Sequence, residues 1–249
     1  MEIRGTVAIV TGGTGGLGRC ICRTLAARGA NVVVVNQHSA DAAREFCAEL
    51  AKTGIRTLSI QADVSNPADV QRMVEKTMAE FGRIDILVND AAFNQAVAFP
   101  NLDGLTLELW EKIMSINLTG PFLCIKAVAP IMKKQERGRI INISSIAGLM
   151  PVGSSIGYAV SKAALIHLTR CMAVALAPHV IVNGVAPGFI DGTRATEKLS
   201  AAQIDIALKT ALTKKAVDKD DVAKQVITFI ETDGTNGQTV CMDGGRYFH

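Results

Sequence analysis

The feature that most constrains this chain is the regular alternation of short apolar runs with longer amphipathic stretches. The short runs are rich in β-branched residues and almost continuously apolar, which is typical of strands buried on both faces. Strands that alternate with helices predict a parallel sheet covered by helices on both sides. The predicted strands are Val7–Val10, Val32–Val35, Thr57–Ile60, Ile84–Val88, Ile140–Ile143, Val180–Val185 and a last strand near Gly237. The predicted helices are Leu17–Arg28, Ala40–Lys52, Pro67–Phe81, Thr106–Lys134 and Tyr158–Ala177.

The length of the chain and its lack of linker-like segments favour one domain that spans residues 1–249. The chain has 249 residues, of which 49% are hydrophobic, enough for one large α/β core. No proline- or serine-rich linker and no internal repeat divides it. We therefore predict a single doubly wound α/β domain with a parallel sheet of about seven strands. The alternation loosens after Gly188, and residues 189–218 are predicted to form an insert that closes over the substrate as a lid.

Composition excludes several classes of function. A net charge of +3 gives no electrostatic case for a nucleic-acid or membrane partner. No stretch approaches the ~18 uninterrupted apolar residues of a membrane span, and the charged N-terminal residues do not resemble a signal peptide, so we expect a cytoplasmic protein. The six cysteines include no CxxC pair, and no Cys/His cluster has ligand-like spacing. We therefore expect reduced thiols and no bound metal.

A glycine-rich segment, Thr11–Gly18, joins the first predicted strand to the first predicted helix. Glycines permit a tight turn and close approach of the backbone to a diphosphate, and the helix N-terminus offers free N–H groups. A lone glycine motif is a weak signal, but the strand before it and the helix and strand after it supply the right context. The segment predicts a dinucleotide site in a Rossmann-type domain. Two registers fit: Gly13, Gly15 and Gly18, or Gly12, Gly16 and Gly18.

The end of the second predicted strand bears on the choice of cofactor. An acidic residue there would hold the adenosine ribose hydroxyls and favour NAD. The chain instead has the neutral residues Asn36, Gln37 and His38. No carboxylate would repel the 2′-phosphate of NADP at this place, and no arginine would bind it. We expect a preference for NADP, with NAD as the open alternative.

Tyr158 and Lys162 are four residues apart and share one face of a predicted helix. A nearby cation favours the phenolate, so Tyr158 could exchange a proton with an alcohol or carbonyl oxygen. Ser144 and Ser145 follow a buried strand, at the end where ligands collect, and a serine there can donate to a developing oxyanion. A serine hydrolase is disfavoured because no G-x-S-x-G elbow surrounds Ser145 and no histidine has a suitable spacing.

Together these motifs resemble those of the short-chain dehydrogenase/reductase family, in its classical single-domain branch. The resemblance runs from Thr6 to about Gly245 and is strongest to 3-oxoacyl-carrier-protein reductases and small ketone and polyol dehydrogenases. It implies hydride transfer between NADP or NAD and a small-molecule ketone or secondary alcohol, in a homotetramer. The motifs in family order are Thr11–Gly18, Asp63-Val64, Asn89-Asp90-Ala91-Ala92, Asn117, Ile143-Ser144-Ser145, Tyr158–Lys162 and Pro187-Gly188.

The resemblance assigns roles to the matching residues. It implies that Tyr158 is the general acid in reduction and the base in oxidation, and that Lys162 lowers the pKa of Tyr158 and binds the nicotinamide ribose. Ser145 is implied to polarise the substrate oxygen, and Asn117 to anchor a water in a proton relay through Lys162. The implied cofactor contacts are Gly12, Thr14, Gly16, Leu17, Gly18, Asn36, Asp63, Val64, Asn89, Ala91, Tyr158, Lys162, Pro187, Gly188 and Ile190.

The chain also departs from the family pattern. Asp90 and Ala92 stand where Asn and Gly are usual, and Gly15 stands where many NADP-using members carry a basic residue. The pattern assigns no role to Asp90. In the segment after Gly188, Thr193 comes one position late, which puts its contact with a nicotinamide carboxamide in doubt. These changes keep a second hypothesis open, a nucleotide-binding regulatory protein of the same fold that has lost the chemistry.

The expected substrate pocket is mostly apolar. It is predicted to form from Ala147–Val152, Phe93–Val97 and the lid near Phe189–Leu199, with Asn94 and Gln95 as polar groups that orient the substrate. This composition favours a modest-sized, partly apolar ketone or secondary alcohol. It does not distinguish a 3-oxoacyl thioester from a cyclic ketone or a sugar-derived alcohol, nor does it set the direction of the reaction.

Overall fold

The computed structural model describes residues 1–38, 40–193, 196 and 201–248, without the side chains of residues 202 and 203. Within this set, seven parallel strands form one sheet in the order β3-β2-β1-β4-β5-β6-β7, which confirms the predicted doubly wound Rossmann-type α/β fold. The strands are β1 (Val7–Thr11), β2 (Asn31–Asn36), β3 (Thr57–Gln61), β4 (Ile86–Asn89), β5 (Gly138–Ile143), β6 (Val180–Pro187) and β7 (Thr239–Met242). The helices are α1 (Gly16–Ala27), α2 (Ala40–Ala51), α3 (Pro67–Phe81), α4 (Leu107–Met114), α5 (Gly120–Lys134), α6 (Ile156–Leu176), α7 (Ala201–Thr210) and α8 (Lys219–Glu231).

The central strands are apolar throughout because their alternate side chains enter two different cores. In β1, Ala8 and Val10 pack in the core formed with α1, α2 and α8. Val7 and Ile9 pack in the opposite core, formed with α3, α5 and α6. The valines of β2 alternate in the same way. The continuous apolar runs of the sequence therefore correspond to a sheet with helices on both faces.

The strand order reverses between β1 and β4, and this reversal locates the candidate site. The chain passes from β1 to β2 and β3 on one side, then returns to place β4 on the other side of β1. In open α/β sheets, ligands bind in the crevice at such a switch point, outside the carboxyl ends of the strands. Thr11 pairs with Asn89 here, so the glycine-rich loop after β1 lies beside the segment that follows β4.

The predicted uninterrupted helix over Thr106–Lys134 is wrong in one respect. A π-helical turn, Ser115–Thr119, joins α4 to α5. Asn117 lies in this turn with 0% of its surface exposed, and its side chain bonds to the main chain of Phe93. Apolar periodicity does not reveal such a turn, because its bonding partner comes from a distant segment. Single π turns inside α-helices are frequent at functional sites.

Helix α3 shows why many predicted boundaries agree with the structure. The side chain of Asn66 accepts hydrogen bonds from the N–H groups of Ala68 and Asp69, and Pro67 occupies the first turn. The helix ends at Gly82, whose φ of 72° lies in the left-handed region that suits glycine. These start and stop signals involve residues that are only a few positions apart, so they can be recognised from the sequence alone.

The predicted lid, residues 189–218, is only partly described. Residues 194, 195 and 197–200 lie outside the described set. Within the described part, α7 carries Ile206 at 56% exposure, and Leu212 after it is 67% exposed. Helix α8, which follows this insert and was not among the predicted helices, buries Val222 and Val226 in the core with α1. The lid remains a prediction.

Two helical segments, Leu107–Lys134 and Ile156–Leu176, are long and apolar enough to cross a membrane by length and composition alone. Helices α5 and α6 instead cover one face of the sheet, and residues such as Val128 and Leu176 belong to that core. Core helices of α/β domains pass the same test of length and composition. The two segments are therefore weak evidence for a membrane span, and the expected absence of a membrane partner stays a prediction.

Candidate active site

The glycine-rich loop packs tightly against the end of β4. Gly12 has a φ of 67°, and a Cβ there would lie 2.9 Å from the main-chain nitrogen of Ala91. At Gly18, in the first turn of α1, a Cβ would lie 2.3 Å from the carbonyl oxygen of Gly12. A Cβ on Gly16 would lie 2.7 Å from the carbonyl oxygen of Gly192, in the segment after β6. Each of these three positions therefore requires glycine, which supports the register Gly12, Gly16 and Gly18.

The start of α1 fits the diphosphate of a dinucleotide. Its N-cap is Gly15, so no side chain at the cap accepts a hydrogen bond from the N–H groups of the first turn. A helix N-terminus of this kind binds phosphate oxygens through its N–H groups and its dipole. The close backbone contact at Gly16 places the loop beside the segment after β6, and the one at Gly12 places it beside the segment after β4. Arg19, which the sequence analysis missed, also lies here, since its Nε donates to the carbonyl oxygen of Thr14 at 3.2 Å.

The end of β2 carries the neutral side chains that bear on cofactor choice. Asn36 is 3% exposed, and its Nδ2 lies 3.4 Å from the carbonyl oxygen of Ile60. The Nε2 of Gln37 donates to a carboxylate oxygen of Asp63 at 2.8 Å. Asp63 also accepts the N–H and hydroxyl hydrogens of Ser65, so its carboxylate is held in place at the end of β3. The contacts of Asn36 and Asp63 with an adenosine stay predictions.

Three other predicted cofactor residues have buried side chains. Leu17, Val64 and Ile190 are 7%, 6% and 7% exposed. A Cβ on Gly120 would lie 2.8 Å from Cγ2 of Val64, so this side chain packs beneath the start of α5. Contacts of these residues with a cofactor would therefore come from their main-chain atoms.

Thr11 connects the glycine-rich loop to the segment after β4. Its hydroxyl oxygen accepts the N–H hydrogens of Asp90 and Ala91, each at 3.1 Å. The Nδ2 of Asn89 donates to Oδ1 of Asn142 on β5 at 2.9 Å, so the Asn89 amide is engaged inside the sheet. The main chain of Asp90 and Ala91 is thus fixed where the crevice opens. The sequence analysis missed this role of Thr11, although Thr11 begins the glycine motif.

Ser145 and Tyr158 lie beside each other at the carboxyl end of β5, close enough for the Ser145 hydroxyl to lower the pKa of the phenol. The hydroxyl oxygen of Ser145 also accepts the N–H of Ala147 at 3.2 Å. Tyr158 lies in the first turn of α6, and its N–H donates to the capping hydroxyl of Ser155 at 3.2 Å. Ser144, by contrast, is 5% exposed, and its hydroxyl donates to the carbonyl oxygen of residue 162 at 2.9 Å. The structure therefore places Ser145, not Ser144, beside the phenol.

Lys162 lies one turn after Tyr158 and is 3% exposed. Its Nζ donates to the carbonyl oxygen of Ile143 at 2.8 Å and lies 5.8 Å from the centre of the Tyr158 ring. Burial lowers the pKa of Lys162 to about 8, while the negative charge of Asp90 opposes this shift. The ammonium group therefore titrates within reach of neutral pH.

The pKa of Tyr158 differs from the expectation. The resemblance implies that Lys162 lowers this pKa, whereas burial raises the pKa of the phenol above its ordinary value. The hydrogen bond with Ser145 opposes the rise, and the charge of Asp90 adds to it. The physical reason is that burial disfavours the phenolate, while the Lys162 ammonium is directed at the Ile143 carbonyl. The Tyr158 phenol is therefore protonated at neutral pH.

Asn117 ties the segment after β4 to α6. Its Oδ1 accepts the N–H of Phe93 at 2.7 Å, and its Nδ2 donates to Phe93 O at 2.9 Å and to Oγ of Ser161 at 3.1 Å. Both N–H groups of the amide are thus engaged, so a water in the predicted relay would have to bind the main-chain carbonyl of Asn117. Ser161 was missed from the sequence, although it follows Tyr158 by three residues on the same helix face.

The segment after β6 turns back towards the glycine-rich loop. A Cβ on Gly188 would lie 2.9 Å from Cα of Asp243, so the strand end packs tightly beside the chain after β7. Gly192 has a φ of 65° and presents its carbonyl oxygen to Gly16. The hydroxyl of Thr193 lies 3.0 Å from that of Thr196. The carboxamide contact of Thr193 and the nicotinamide contacts of Pro187, Gly188 and Ile190 stay predictions.

One segment predicted to line the substrate pocket, Phe93–Val97, contacts the chain just after another, Ala147–Val152. The N–H of Val97 donates to the carbonyl oxygen of Ser154 at 2.8 Å, which joins the loop after β4 to the loop before α6. The Lys112 ammonium lies 4.5 Å from the centre of the Phe93 ring. The third predicted segment, near 189–199, falls partly outside the described residues.

The part of the chain that the structure describes contains neither a metal-binding cluster nor a disulfide. Among the described residues, no group of three or more His, Cys, Asp or Glu side chains is placed to hold a metal ion. All six cysteines belong to the described set and are free thiols. Burial raises the pKa of Cys22 and of Cys124, so both thiols stay protonated at neutral pH.

Comparisons with known proteins agree with this geometry. Residues 6–204 match the family model described as short chain dehydrogenase. The 3-oxoacyl-[acyl-carrier-protein] reductase of Synechocystis sp. is 40% identical over 244 residues, which cover 96% of each chain. A short chain dehydrogenase from Burkholderia cenocepacia J2315 in complex with NADP matches with a TM-score of 0.90 at 32% identity, covering 99% of both chains. NAD⁺-bound xylitol dehydrogenase matches with a TM-score of 0.90 at 25% identity, covering 98% of this chain and 100% of the other. The chain belongs to the short-chain dehydrogenase family and is an NAD(P)-dependent oxidoreductase that acts on ketones and secondary alcohols.

Proposed function

We propose that this protein reduces a ketone to a secondary alcohol, with Tyr158 as the proton donor. The observation that carries the proposal is the placement of Ser145 beside Tyr158 at the end of β5, with the buried Lys162 one turn further along α6. The raised pKa of Tyr158 supports the direction of reduction, because a neutral phenol can donate a proton and cannot accept one.

Each residue has a distinct part in the proposed reaction. The Ser145 hydroxyl donates a hydrogen bond to the substrate carbonyl oxygen and so polarises the carbonyl. When bound, the cofactor supplies the hydride to the carbonyl carbon. The Tyr158 hydroxyl gives its proton to the oxygen as negative charge develops there, which leaves a phenolate. The Lys162 ammonium, 5.8 Å from the ring centre, stabilises that phenolate electrostatically.

The alternative is a nucleotide-binding regulatory protein of the same fold. It was raised by the departures at Asp90 and Ala92. Ala92 is exposed, and the N–H of Asp90 is bonded to Thr11, so neither residue displaces the pair of Ser145 and Tyr158. The oxidoreductase relatives also favour an enzyme. Tight cofactor binding without turnover of any ketone or alcohol would favour the regulatory role instead.

For the cofactor, we propose that NADPH is preferred over NADH. The neutral Asn36 at the end of β2 offers no charge against a 2′-phosphate, and Arg19 adds a cation beside the glycine-rich loop. The Gln37 amide, in contrast, is already engaged by Asp63. A modest preference is expected, since no arginine follows Asn36 directly.

Replacing Asn36 with aspartate should reverse that preference. A carboxylate at this place accepts hydrogen bonds from the ribose hydroxyls and repels the 2′-phosphate. We expect KM for NADPH to rise at least about tenfold and KM for NADH to change by less than about threefold, a difference of about 1 kcal/mol or more. Steady-state kinetics with each cofactor measures both values.

Asn31→Asp is the matched control, because Asn31 lies at the opposite end of the same strand. It should leave the ratio of the two KM values unchanged. An unchanged ratio in Asn36→Asp as well would show that residue 36 does not face the 2′ position. Thermal unfolding of both variants separates this result from a loss of folding.

The proposed substrate is a modest-sized, partly apolar ketone. The first compound to test is a 3-oxoacyl thioester, because the Synechocystis relative is named for such a reaction. The experiment is a titration of NADH and NADPH by fluorescence, followed by oxidation of the preferred cofactor with a 3-oxoacyl thioester, a cyclic ketone and a sugar-derived ketone. Turnover of at least one ketone is expected. Cofactor binding without any turnover would contradict the proposal.

We also propose a cytoplasmic homotetramer with no nucleic-acid or membrane partner. The support is an exposed apolar surface on two neighbouring helices. Phe122 on α5 is 38% exposed, and Val160 and Val174 on α6 are 40% and 83% exposed. Apolar side chains at such exposure on adjacent helices are typical of an interface between subunits.

A further inference from the structure

Asp90 lies at the switch point of the sheet, directly after β4. Its N–H donates to the hydroxyl of Thr11 at 3.1 Å, which holds the residue against the end of β1. Its carboxylate lies close enough to the main-chain N–H of Gly18 for that N–H to lower the pKa of the carboxyl group. A Cβ built on Gly18 would lie 3.0 Å from Oδ2 of Asp90, which places that oxygen against the first turn of α1.

The carboxylate acts as an N-terminal cap that comes from a distant part of the chain. The N-cap residue of α1 is Gly15, so Gly18 is the third residue of the helix. The N–H at this position is normally satisfied by the side chain of the N-cap residue itself. Glycine cannot do this, and Asp90 supplies the missing oxygen. The carboxylate thus lies at the helix terminus to which the proposed cofactor diphosphate would bind.

The titratable groups that face Asp90 come from two helices. Lys162 and Tyr158 face it from α6, and Cys22 faces it from α1. Burial raises the pKa of Asp90 to about 7, while the charge of Lys162 and the bond from Gly18 oppose the rise. The pKa of Lys162 is lowered to about 8 by its own burial. Tyr158 and Cys22 have raised pKa values and stay neutral in this range.

We propose that Asp90 is a positioning residue that couples cofactor binding to the uptake of a proton. The inference rests on cofactor binding at the glycine-rich loop. An ionised Asp90 carboxylate and the cofactor diphosphate are like charges at one helix N-terminus, so each disfavours the other. Binding takes a proton from solvent onto the carboxyl group, which then lies neutral beneath the diphosphate and still accepts the Gly18 N–H through its carbonyl oxygen.

The sign of the pH dependence follows from this coupling. Below the pKa of the free protein the carboxyl group is already neutral, and the cofactor binds without a proton. Above the Asp90 pKa of the free protein, cofactor binding requires protonation of the carboxylate, so the affinity for the cofactor falls as pH rises. If binding shifts the pKa of Asp90 from about 7 to about 8, the Kd at pH 8 is about fivefold weaker than at pH 6.

The test compares the parent protein with Asp90→Asn. Asparagine keeps the shape and an acceptor oxygen for the Gly18 N–H but carries no charge. Fluorescence titration of NADPH and NADH from pH 6 to pH 8 should show about fivefold weakening in the parent and less than about twofold in the variant. Calorimetry at pH 7.5, in two buffers of different ionisation enthalpy, should show proton uptake in the parent and little or none in the variant.

The controls distinguish the possible causes. Lys162 is present in both proteins. If the cofactor Kd of Asp90→Asn depends on pH as strongly as that of the parent, or more strongly, the dependence belongs to Lys162 and the inference is wrong. Asp103→Asn, at an exposed loop residue, should behave as the parent does. Asp90→Ser, a second neutral variant, gives the same comparison if the asparagine variant does not fold. Absence of cofactor binding at every pH would contradict the cofactor site itself, whereas binding with unaltered pH dependence would contradict only the role of Asp90.

Discussion

Replacing Tyr158 with phenylalanine should lower kcat/KM for ketone reduction by about 10³-fold, within the usual range for a positioned proton donor. That loss corresponds to about 4 kcal/mol of transition-state stabilisation. Phenylalanine fills the same space between Ser145 and Lys162 but has no proton to give. The Kd of NAD(P)H should change by less than about threefold, because the ring and the buried Lys162 remain.

The matched control is Tyr247→Phe, since Tyr247 is the other tyrosine of the chain. It lies beyond β7 at the C-terminal end and should retain the parent's kcat/KM. Stopped-flow reduction under single-turnover conditions separates the chemical step from cofactor release. If Tyr158→Phe reduced the ketone at the parent's rate, another group would have to donate the proton, and the proposed mechanism would be wrong.

Replacing Lys162 with methionine should affect both the chemistry and the cofactor. Methionine is of similar length and suits a buried site, but it lacks the ammonium group that bonds to the Ile143 carbonyl. We expect kcat/KM to fall by about 10²–10³-fold, because the developing Tyr158 phenolate loses its cation. Unlike Tyr158→Phe, this variant should also weaken cofactor binding by at least about tenfold, because the family resemblance implies that the Lys162 ammonium binds the nicotinamide ribose.

The pH profile of kcat gives the sharper test of Lys162. Burial lowers its pKa to about 8, so the ammonium form is present below that pH and lost above it. The raised pKa of Tyr158 keeps the phenol protonated across the same range. At saturating cofactor, kcat of the parent should therefore be level below pH 8 and fall above it, and Lys162→Met should lack this alkaline fall.

Lys76→Met is the control, because Lys76 is an exposed lysine on α3. Its kcat, cofactor Kd and pH profile should match those of the parent. An alkaline fall that persists in Lys162→Met would assign the titration to a different group. Thermal unfolding of both variants shows whether any loss of activity follows from a loss of folding.

Local signals explain how much of the fold could be predicted. The alternation of apolar runs and amphipathic stretches depends on neighbours along the chain, so the parallel sheet and most helix boundaries were accessible. The cap at Asn66 and the stop at Gly82 are of this kind. Helix α8 was not predicted, because the irregular stretch before it gives no clear start signal, although Asp218 is its N-cap residue. The π turn at Asn117 was missed because the segment that bonds to it comes from elsewhere.

Part of the candidate site could likewise be predicted from the sequence, and part of it could not. The spacing of Tyr158 and Lys162 and the glycine-rich loop identified the two halves of the site from residue type and order alone. Which serine lies beside the phenol depends on the path of the chain after β5, where Ser144 turns inward to a main-chain carbonyl and Ser145 does not. The direction of the Tyr158 pKa shift likewise depends on burial, which no spacing reports.

The sequence by itself determined the fold class, the family resemblance and the residues predicted to carry the chemistry, because short motifs and periodicity depend on neighbouring positions. Only the tertiary structure decided the pKa values of those residues and the groups that surround them. Asp90 looked like an unexplained departure in a strand-end motif, yet the reversal of strand order brings it to the first turn of α1 and towards Lys162. The strength of a buried charge depends on every group that folding places around it, and that set of neighbours exists only once the sheet has formed.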